Sequence, residues 1–487
     1  MQRYSVQGIK ALLFLSSIFL SFTSHAGQQA ELAVEHVKSL IASGEVRSGE
    51  VLHLVAKQGN IANFLGDSHQ LKARWETETG TSIDVHTMPQ VASLNFIRQA
   101  ENVDLTIARN REYADLYQQL LIENLRPYAD RFQLGVGMDN DLILPVLQAE
   151  FAGNQVAIPA DGDLAILYLR RDLLDDPNHQ ARYQKLYGKA LQAPETWQEY
   201  QQQVEFFHMP DRGIVGSLEQ RDQSSGWMFW MLRYASQSLP NQLLFDEDMN
   251  PLINSPEGIA ATESYIATVP FSPEGILNKD SNYTFTLPRF LNGKGYSTII
   301  TLAGAKIFNL PHSKVRGDFI AVPMPGVRIG DKLNRRTTLI YGNNLVIPKR
   351  AQNKELAYLF AMWLTDPDIS VEAIGTKGGF SDPYRFSHLS NSAMQKIYTA
   401  EVLNTVQQDL PHTVPAGTGL PGDTEYISIL NKQIFLAASG VKTAQEAMRD
   451  VAAGWQDVTN KYGRESQKVI WHEIRKNYPG QNNKNKE

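Results

Sequence analysis

The patterns in this chain that could do chemistry are few, and each lacks a part that its reaction requires. Gly417-Thr418-Gly419-Leu420-Pro421-Gly422 spells GxGxxG, the loop whose backbone N–H groups cradle a pyrophosphate at a helix start directly after a strand. Pro421 removes one of those N–H groups, so the reading is a plain glycine-rich loop. Asp246, Asp248, Asn250 and Glu257 fall at the ligand positions of a calcium-binding EF-hand loop, but Pro251 stands where the sharp turn needs glycine. A hairpin turn followed by a helix start is expected there instead. His472-Glu473 lacks the second histidine of a HExxH zinc site, and Gly295-Tyr296-Ser297-Thr298-Ile299 lacks the closing glycine of a nucleophile elbow. The 11 histidines form no short-spaced cluster. No catalytic group, metal site or cofactor is therefore assigned.

What remains is a set of residues suited to holding a solute unchanged. Trp227, Trp230, Phe64, Tyr341, Phe380 and Tyr384 lie in or beside predicted loops and helix starts, where a ring can stack on the C–H face of a sugar. Taken alone, each reads first as a core residue, since such rings gain much by burial. Asp163 could accept hydroxyl hydrogen bonds in a dry cleft, where a charged acceptor makes the bond about twice as strong; its other reading is a solvated turn carboxylate. Asp161 and Asp163 as paired carboxylates support a rival reading, an exported carbohydrate-active enzyme, although no acid outside that turn is nominated as a partner.

The elements that must position these residues are those of an α/β protein. Its 487 residues, 42% hydrophobic and 20% charged, suit two globular domains better than one core or a disordered chain. A net charge of -6 without a basic block argues against a nucleic-acid partner. Zero cysteines exclude disulfides, thiolate zinc sites, cysteine nucleophiles and a lipidated N-terminal cysteine. Residues 1–26 have the parts of a secretory signal: Arg3 and Lys10, an apolar run from Ala11 to Phe22, then Ser24-His25-Ala26, with cleavage expected after Ala26. That run is shorter than the roughly 20 residues a membrane span requires. A soluble, periplasmic protein without a lipid anchor is expected, not membrane-embedded.

Periodicity predicts a short surface helix over 30–41, a buried strand over 51–56, a break at Gln58-Gly59-Asn60, and a helix over 61–79. Strands over 81–86 and 103–108 and a helix over 112–122 complete a parallel sheet with crossover helices. Further strands are predicted over 155–159, 164–170, 295–301, 319–322 and 339–347. Helices are predicted over 197–207, from Ser225 through Trp227 and Trp230, over 353–364, 424–438 and 443–461, with a disordered tail over 476–487.

Several of these stretches, in order, give the chain a resemblance to a known family. Gly153-Asn154-Gln155-Val156-Ala157-Ile158-Pro159 with Asp161-Gly162-Asp163, Pro194-Glu195-Thr196-Trp197, Asn254-Ser255-Pro256-Glu257-Gly258, Phe290-Leu291-Asn292-Gly293-Lys294, Val322-Pro323-Met324-Pro325-Gly326 and Gly342-Asn343-Asn344-Leu345-Val346-Ile347-Pro348 are such stretches. Together they resemble the extracellular solute-binding proteins of sugar-type ABC importers, the maltose-binding-protein-like family. The resemblance implies a two-lobed periplasmic-binding-protein-like fold of hinge-linked, Rossmann-like α/β domains. The first lobe would comprise 50–160 plus 341–395, the second 161–340 plus 396–475. It also implies a monomer that captures a small polyhydroxylated solute and meets ABC importer permease subunits. By position it places Gln58, Gly59, Asn60, Arg109, Asp163, Tyr341, Asn343 and Phe380 around the cleft, with Trp227 and Trp230 as stacking candidates. Where the family often has a stacking tryptophan this chain has Lys306; with Arg109, that makes an organic anion or sugar acid an alternative ligand. A sensor or delivery subunit for another periplasmic protein is a further alternative. The helix over 30–42 and the 380–388 stretch have no assigned counterpart.

Overall fold

The computed structural model describes residues 27–89, 93–135, 140–144, 149–278 and 281–481; the expected export signal lies outside the described residues, as does the end of the tail. Two four-stranded sheets organise the chain. In the first, Val51–Ala56 runs parallel to Ser82–Thr87 on one side and to Leu105–Arg109 on the other, and Asn343–Val346 adds antiparallel with Asn343 opposite Arg109. Leu52, Leu54, Leu105, Ile107 and Leu345 are fully buried, as expected for strands covered on both faces. In the second sheet Ala165–Arg170 lies antiparallel between Gly295–Thr301 and Phe319–Val322, and Val215–Ser217 pairs parallel with Gly295–Thr301 at the edge. Each sheet carries its own helices, which makes the two lobes.

The predicted surface helix forms, and its apolar face is part of the core. Gln28–Ser43 buries Ala30, Ala33, Val34, Val37 and Leu40, which recur every three or four residues along one face, and it ends at Gly44 in the left-handed region. Its apolar stripe joins the core of the first lobe with Lys354–Leu364, a helix buried from Leu356 to Leu364. The predicted helix over 61–79 begins at Gln58 and is split: Gln58–Leu65 and Gln70–Thr79 flank a turn at Asp67–His69. Gly66, Ser68 and His69 all have positive φ there, and Asp67 uses its carboxylate to accept the Lys377 N–H at 3.0 Å. The strand predicted over 155–159 is reduced to Asn154–Gln155 and a single bridge between Ile158 and Leu345.

The second lobe is the more aromatic one. Thr196 caps Trp197–Phe206 in a capping box with Glu199, as its spacing predicts. The helix Gly226–Tyr234 is buried on every side, which places Trp227 and Trp230 in the core. Two long helices, Asp423–Ala438 and Ala444–Tyr462, close that core. The tail expected to be disordered from 476 is docked as far as Gln481. Tyr478 packs edge-on against Trp471, and Pro479 O accepts a hydrogen bond from Asn241 at 2.7 Å. Tyr384, Leu389, Met394 and Tyr398, in a stretch that the sequence reading gave largely to the first lobe, share a core with Ile166, Tyr168 and Phe308 of the second.

The turn at Asp246 forms as predicted: its carboxylate accepts the N–H groups of Asp248 and Asn250, and Ser255 caps the following helix. The glycine-rich loop at 417–422 wraps a carboxylate of its own chain, since Asp423 Oδ1 accepts the N–H groups of Thr418 and Gly419.

One buried ion network stiffens the second lobe. Glu219 accepts from Arg233 at 2.7 Å and from Arg221 at 3.3 Å, with all three side chains fully buried. Burial opposes ionisation of Glu219, but the two guanidiniums outweigh it and hold the carboxyl below its ordinary range. Its contribution is therefore present above the ordinary glutamate value near about 4.3 and lost as pH falls through its depressed folded value. Glu219→Gln leaves both arginines uncompensated and should lower the unfolding free energy by about 3–5 kcal/mol in denaturant titration at pH 7. The deficit against wild type should shrink in acid.

Candidate functional site

Between the lobes lies a cavity of about 320 Å³, near the lower end of ordinary ligand pockets. Its position follows from the first sheet. Val51–Ala56 and Leu105–Arg109 are adjacent parallel strands, and their carboxyl ends open the crevice where α/β sheets usually bind ligands. Val51–Ala56 delivers Lys57 in extended backbone, followed by the first turn of Gln58–Leu65, so Gly59 and Asn60 face the cavity. A Cβ at Gly59 would stand 2.4 Å from the Phe380 ring, so the missing side chain lets that ring lie against the helix start. Leu105–Arg109 delivers Arg109, whose N–H is fixed by Glu112 Oε2 at 3.1 Å and whose guanidinium lies over the Tyr341 ring at 5.2 Å.

The facing wall belongs to the second lobe. Ser224 and Ser225 precede the aromatic helix, Asn282 and Tyr283 begin Tyr283–Leu291, and Ile300 and Thr301 end their strand. Tyr283 reaches Phe380 at 5.7 Å and Tyr341 at 6.5 Å between ring centres, giving the cavity an aromatic side. A second link between lobes stands at the edge: Arg111 pairs with Asp423 at 2.6 Å and lies over Trp227. Nearby, Asp115 accepts the Gly422 N–H at 2.7 Å.

The floor is the hinge. Segments around 158–164 and 339–345 run antiparallel, joined by reciprocal bonds between Ile158 and Leu345 at 2.9 Å and by Asp163 O accepting from Ile340 at 2.9 Å. Asp163 has φ 32°, a conformation that a non-glycine residue holds only when its surroundings fix it. Its Oδ2 accepts the Gly342 N–H at 2.9 Å. A third segment joins through Gly162, where a Cβ would stand 2.0 Å from Pro383 O; Gly162 N donates to Asp382 O, and Asp382 N to Asp161 Oδ1.

These segments bring Asp161, Asp163 and Asp382 together, with one oxygen from each lying within 4.8 Å of the others. Burial, reinforced by mutual repulsion, raises Asp161 and Asp382 well above ordinary carboxyls. Burial also raises Asp163, opposed by its hydrogen bonds from Asp161 and Gly342 and by the charges of Arg109 and Lys57. Three such oxygens could ligate a divalent cation. Against that, Asp161 is already engaged by Asn60 at 3.4 Å and by Asp382 N, and the charge of Lys306 acts on Asp382 and Asp161. The cluster reads as a proton-sharing hinge lock, and no metal is assigned to it.

Of the residues expected at the cleft, Gly59, Asn60, Arg109, Asp163, Tyr341, Asn343 and Phe380 line the cavity. Four do not. Gln58 sits on the outer side of its helix and accepts from Thr87. Trp227 and Trp230 are core: the latter stacks on Tyr234 and donates to Thr262 at 2.8 Å. Lys306 is buried behind the hinge, donating to Ile374 O at 3.0 Å. Phe64 and Tyr384 are likewise core residues. Sequence reasoning missed Lys57 and Arg111, each next to a loop it had chosen, and the second-lobe residues Ser224, Asn282 and Tyr283. An asparagine cap at Asn282 was the one local signal for the latter pair.

Two lobes, a hinge and a cavity lined from both sides are the architecture of a binding protein for a small solute. Residues 70–370 match the family model "Bacterial extracellular solute-binding protein", and the chain belongs to that family. Its fold is similar to that of the T. maritima protein MalE3 with maltose bound, at 20% identity and TM-score 0.69, covering 84% of this chain and 99% of that one. It is equally similar to a solute-binding protein from Agrobacterium radiobacter K84 in complex with ribitol, at 20% identity and TM-score 0.69, covering 85% and 100%. A third, from Agrobacterium vitis S4 with bound D-mannitol, matches at 18% identity and TM-score 0.66, covering 85% and 99%. No curated protein sequence matches the chain.

Two outcomes follow from the charges. Raised carboxyls bind protons more tightly in the folded chain, so their stabilising contribution is complete below the ordinary aspartate value near about 3.9 and is lost as pH rises above it. Asp382→Asn should flatten that fall when the melting temperature is followed from acid to neutral pH. Burial and the neighbouring Arg109 lower the Lys57 amine to about 7. At pH 7.5 it should react with acetic anhydride ahead of the surface lysines, as read by peptide mass spectrometry.

Proposed function

We propose that this chain captures a small polyhydroxylated solute, a sugar or polyol, in the periplasm and presents it to the permease of an ABC importer, acting as a monomer and without chemical change to the solute. The observation that carries the reading is the cavity itself, enclosed by both lobes and floored by the hinge. Hydroxyl recognition has its donors and acceptors there: Asp163 and Asn60 on one side, Ser224 and Asn282 on the other, with Tyr341, Tyr283 and Phe380 as apolar faces. Solute contacts made to both lobes at once favour the closed form by their differential affinity, and that alone supplies the switch a permease reads. Expression with an export signal cleaved after Ala26 fits the family, and no described helix is long and apolar enough to cross a membrane.

The reading is tested by titration. The right sugar or polyol should raise the melting temperature and reduce the radius of gyration in X-ray scattering together. Tight binding that changes neither would contradict capture by closure. Tyr341→Ala removes an aromatic face, and Asp163→Asn removes a charged acceptor while keeping the side-chain shape. The second change should weaken binding by about 1.5–3 kcal/mol in calorimetry. Unchanged affinity in Asp163→Asn would take that carboxylate out of the site.

A further inference from the structure

The cations around the cavity differ in what holds them. Arg111 is paired with Asp423, and Lys306 donates to Ile374 O away from the cavity. Lys57 and Arg109 both line the cavity, and among the described residues neither side chain has a hydrogen-bond acceptor or a carboxylate within ion-pair distance. Arg109 Nε is buried without a partner. Glu112 and Asp163 act electrostatically on both, but Glu112 accepts the Arg109 backbone N–H and Asp163 the Gly342 N–H, and neither is within ion-pair distance of either head group. The guanidinium nonetheless lies over the Tyr341 ring at 5.2 Å.

Two half-buried cations that repel each other, with no carboxylate paired to either head group, cost free energy in the empty protein. An oxyanion between them offsets that cost. A guanidinium offers a fork of donors matched to carboxylate or phosphate, and an ammonium adds a point charge beside it. Asp163 lines the same cavity from the hinge, and Ser224 and Asn282 line it from the second lobe, so the hydroxylated part of one molecule has partners of its own.

We infer that the captured solute is a monosaccharide-sized sugar or polyol bearing an oxyanion, a carboxylate or a phosphate ester, which Lys57 and Arg109 receive on the first-lobe wall. This rests on the solute-capture reading above and narrows it. It differs in basis from the anion alternative raised by the sequence, since Lys306 plays no part.

The test uses matched sets on the full mature chain: sorbitol, D-gluconate and sorbitol 6-phosphate; D-glucose, D-glucuronate and D-glucose 6-phosphate. Binding is read by calorimetry, and closure by scattering. At least one acidic member should bind about tenfold or more tighter than its neutral parent, and the acid arm that wins tells carboxylate from phosphate. Lys57→Met and Arg109→Met should each bring the ratio of acid to parent affinity down to about threefold or less; Lys57→Met serves if the arginine variant does not fold. Neutral members that bind and close the protein as well as or better than the acids would overturn the charge assignment and leave solute capture standing. No binding by any member would count against both.

Discussion

The structure depends on how three chain segments are tied together between the lobes. Ile158 and Leu345 exchange backbone hydrogen bonds, Asp163 receives Ile340 and Gly342, and Gly162 packs against Pro383 so closely that no side chain fits. The buried acids at this point are costly as anions, and the structure meets that cost by keeping protons on them and by aiming N–H groups at those that ionise. Asp163 is at once a hinge residue and part of the cavity lining, so the solute contact proposed for it would act on the hinge itself.

From that point outward the two sheets explain the rest. The parallel order of the first sheet brings two strand ends, and with them Lys57 and Arg109, to one crevice. The second sheet presents a more neutral wall of serines, asparagine and tyrosine. A solute between such walls bridges unlike surfaces, and its affinity for the closed arrangement sets how far the population shifts. Such a scheme needs no reacting group.

The sequence showed the fold more clearly than the site. Strands at 51–56, 295–301 and 319–322 are legible because runs of buried β-branched and aliphatic residues end at turn residues. The split at Gly66–His69 had a local cue in Gly66-Asp67-Ser68, which apolar periodicity overrode; the Lys377 N–H that holds Asp67, more than 300 residues away, had none. The same limit explains the site. Trp227 and Trp230 have the composition of a binding face, but packing from Asp423–Ala438 and Pro256–Ile266 encloses them, and only tertiary structure supplies those neighbours. Lys306 was picked from its place in a family pattern, and a backbone carbonyl claims it. Lys57 carries no motif at all; its importance comes from the strand that delivers it.

The pair between Arg111 and Asp423 joins a loop of one lobe to a helix start of the other, beside the Asp115–Gly422 bond. Parting the lobes must hydrate both charges at once, since Asp423 has no exposure in this arrangement. The resting gape of the empty protein is thereby coupled to ionic conditions: electrolyte that screens the exposed ions stabilises the parted state. A clasp of this kind makes the dissolved salt around the protein a silent participant in how readily it releases its cargo.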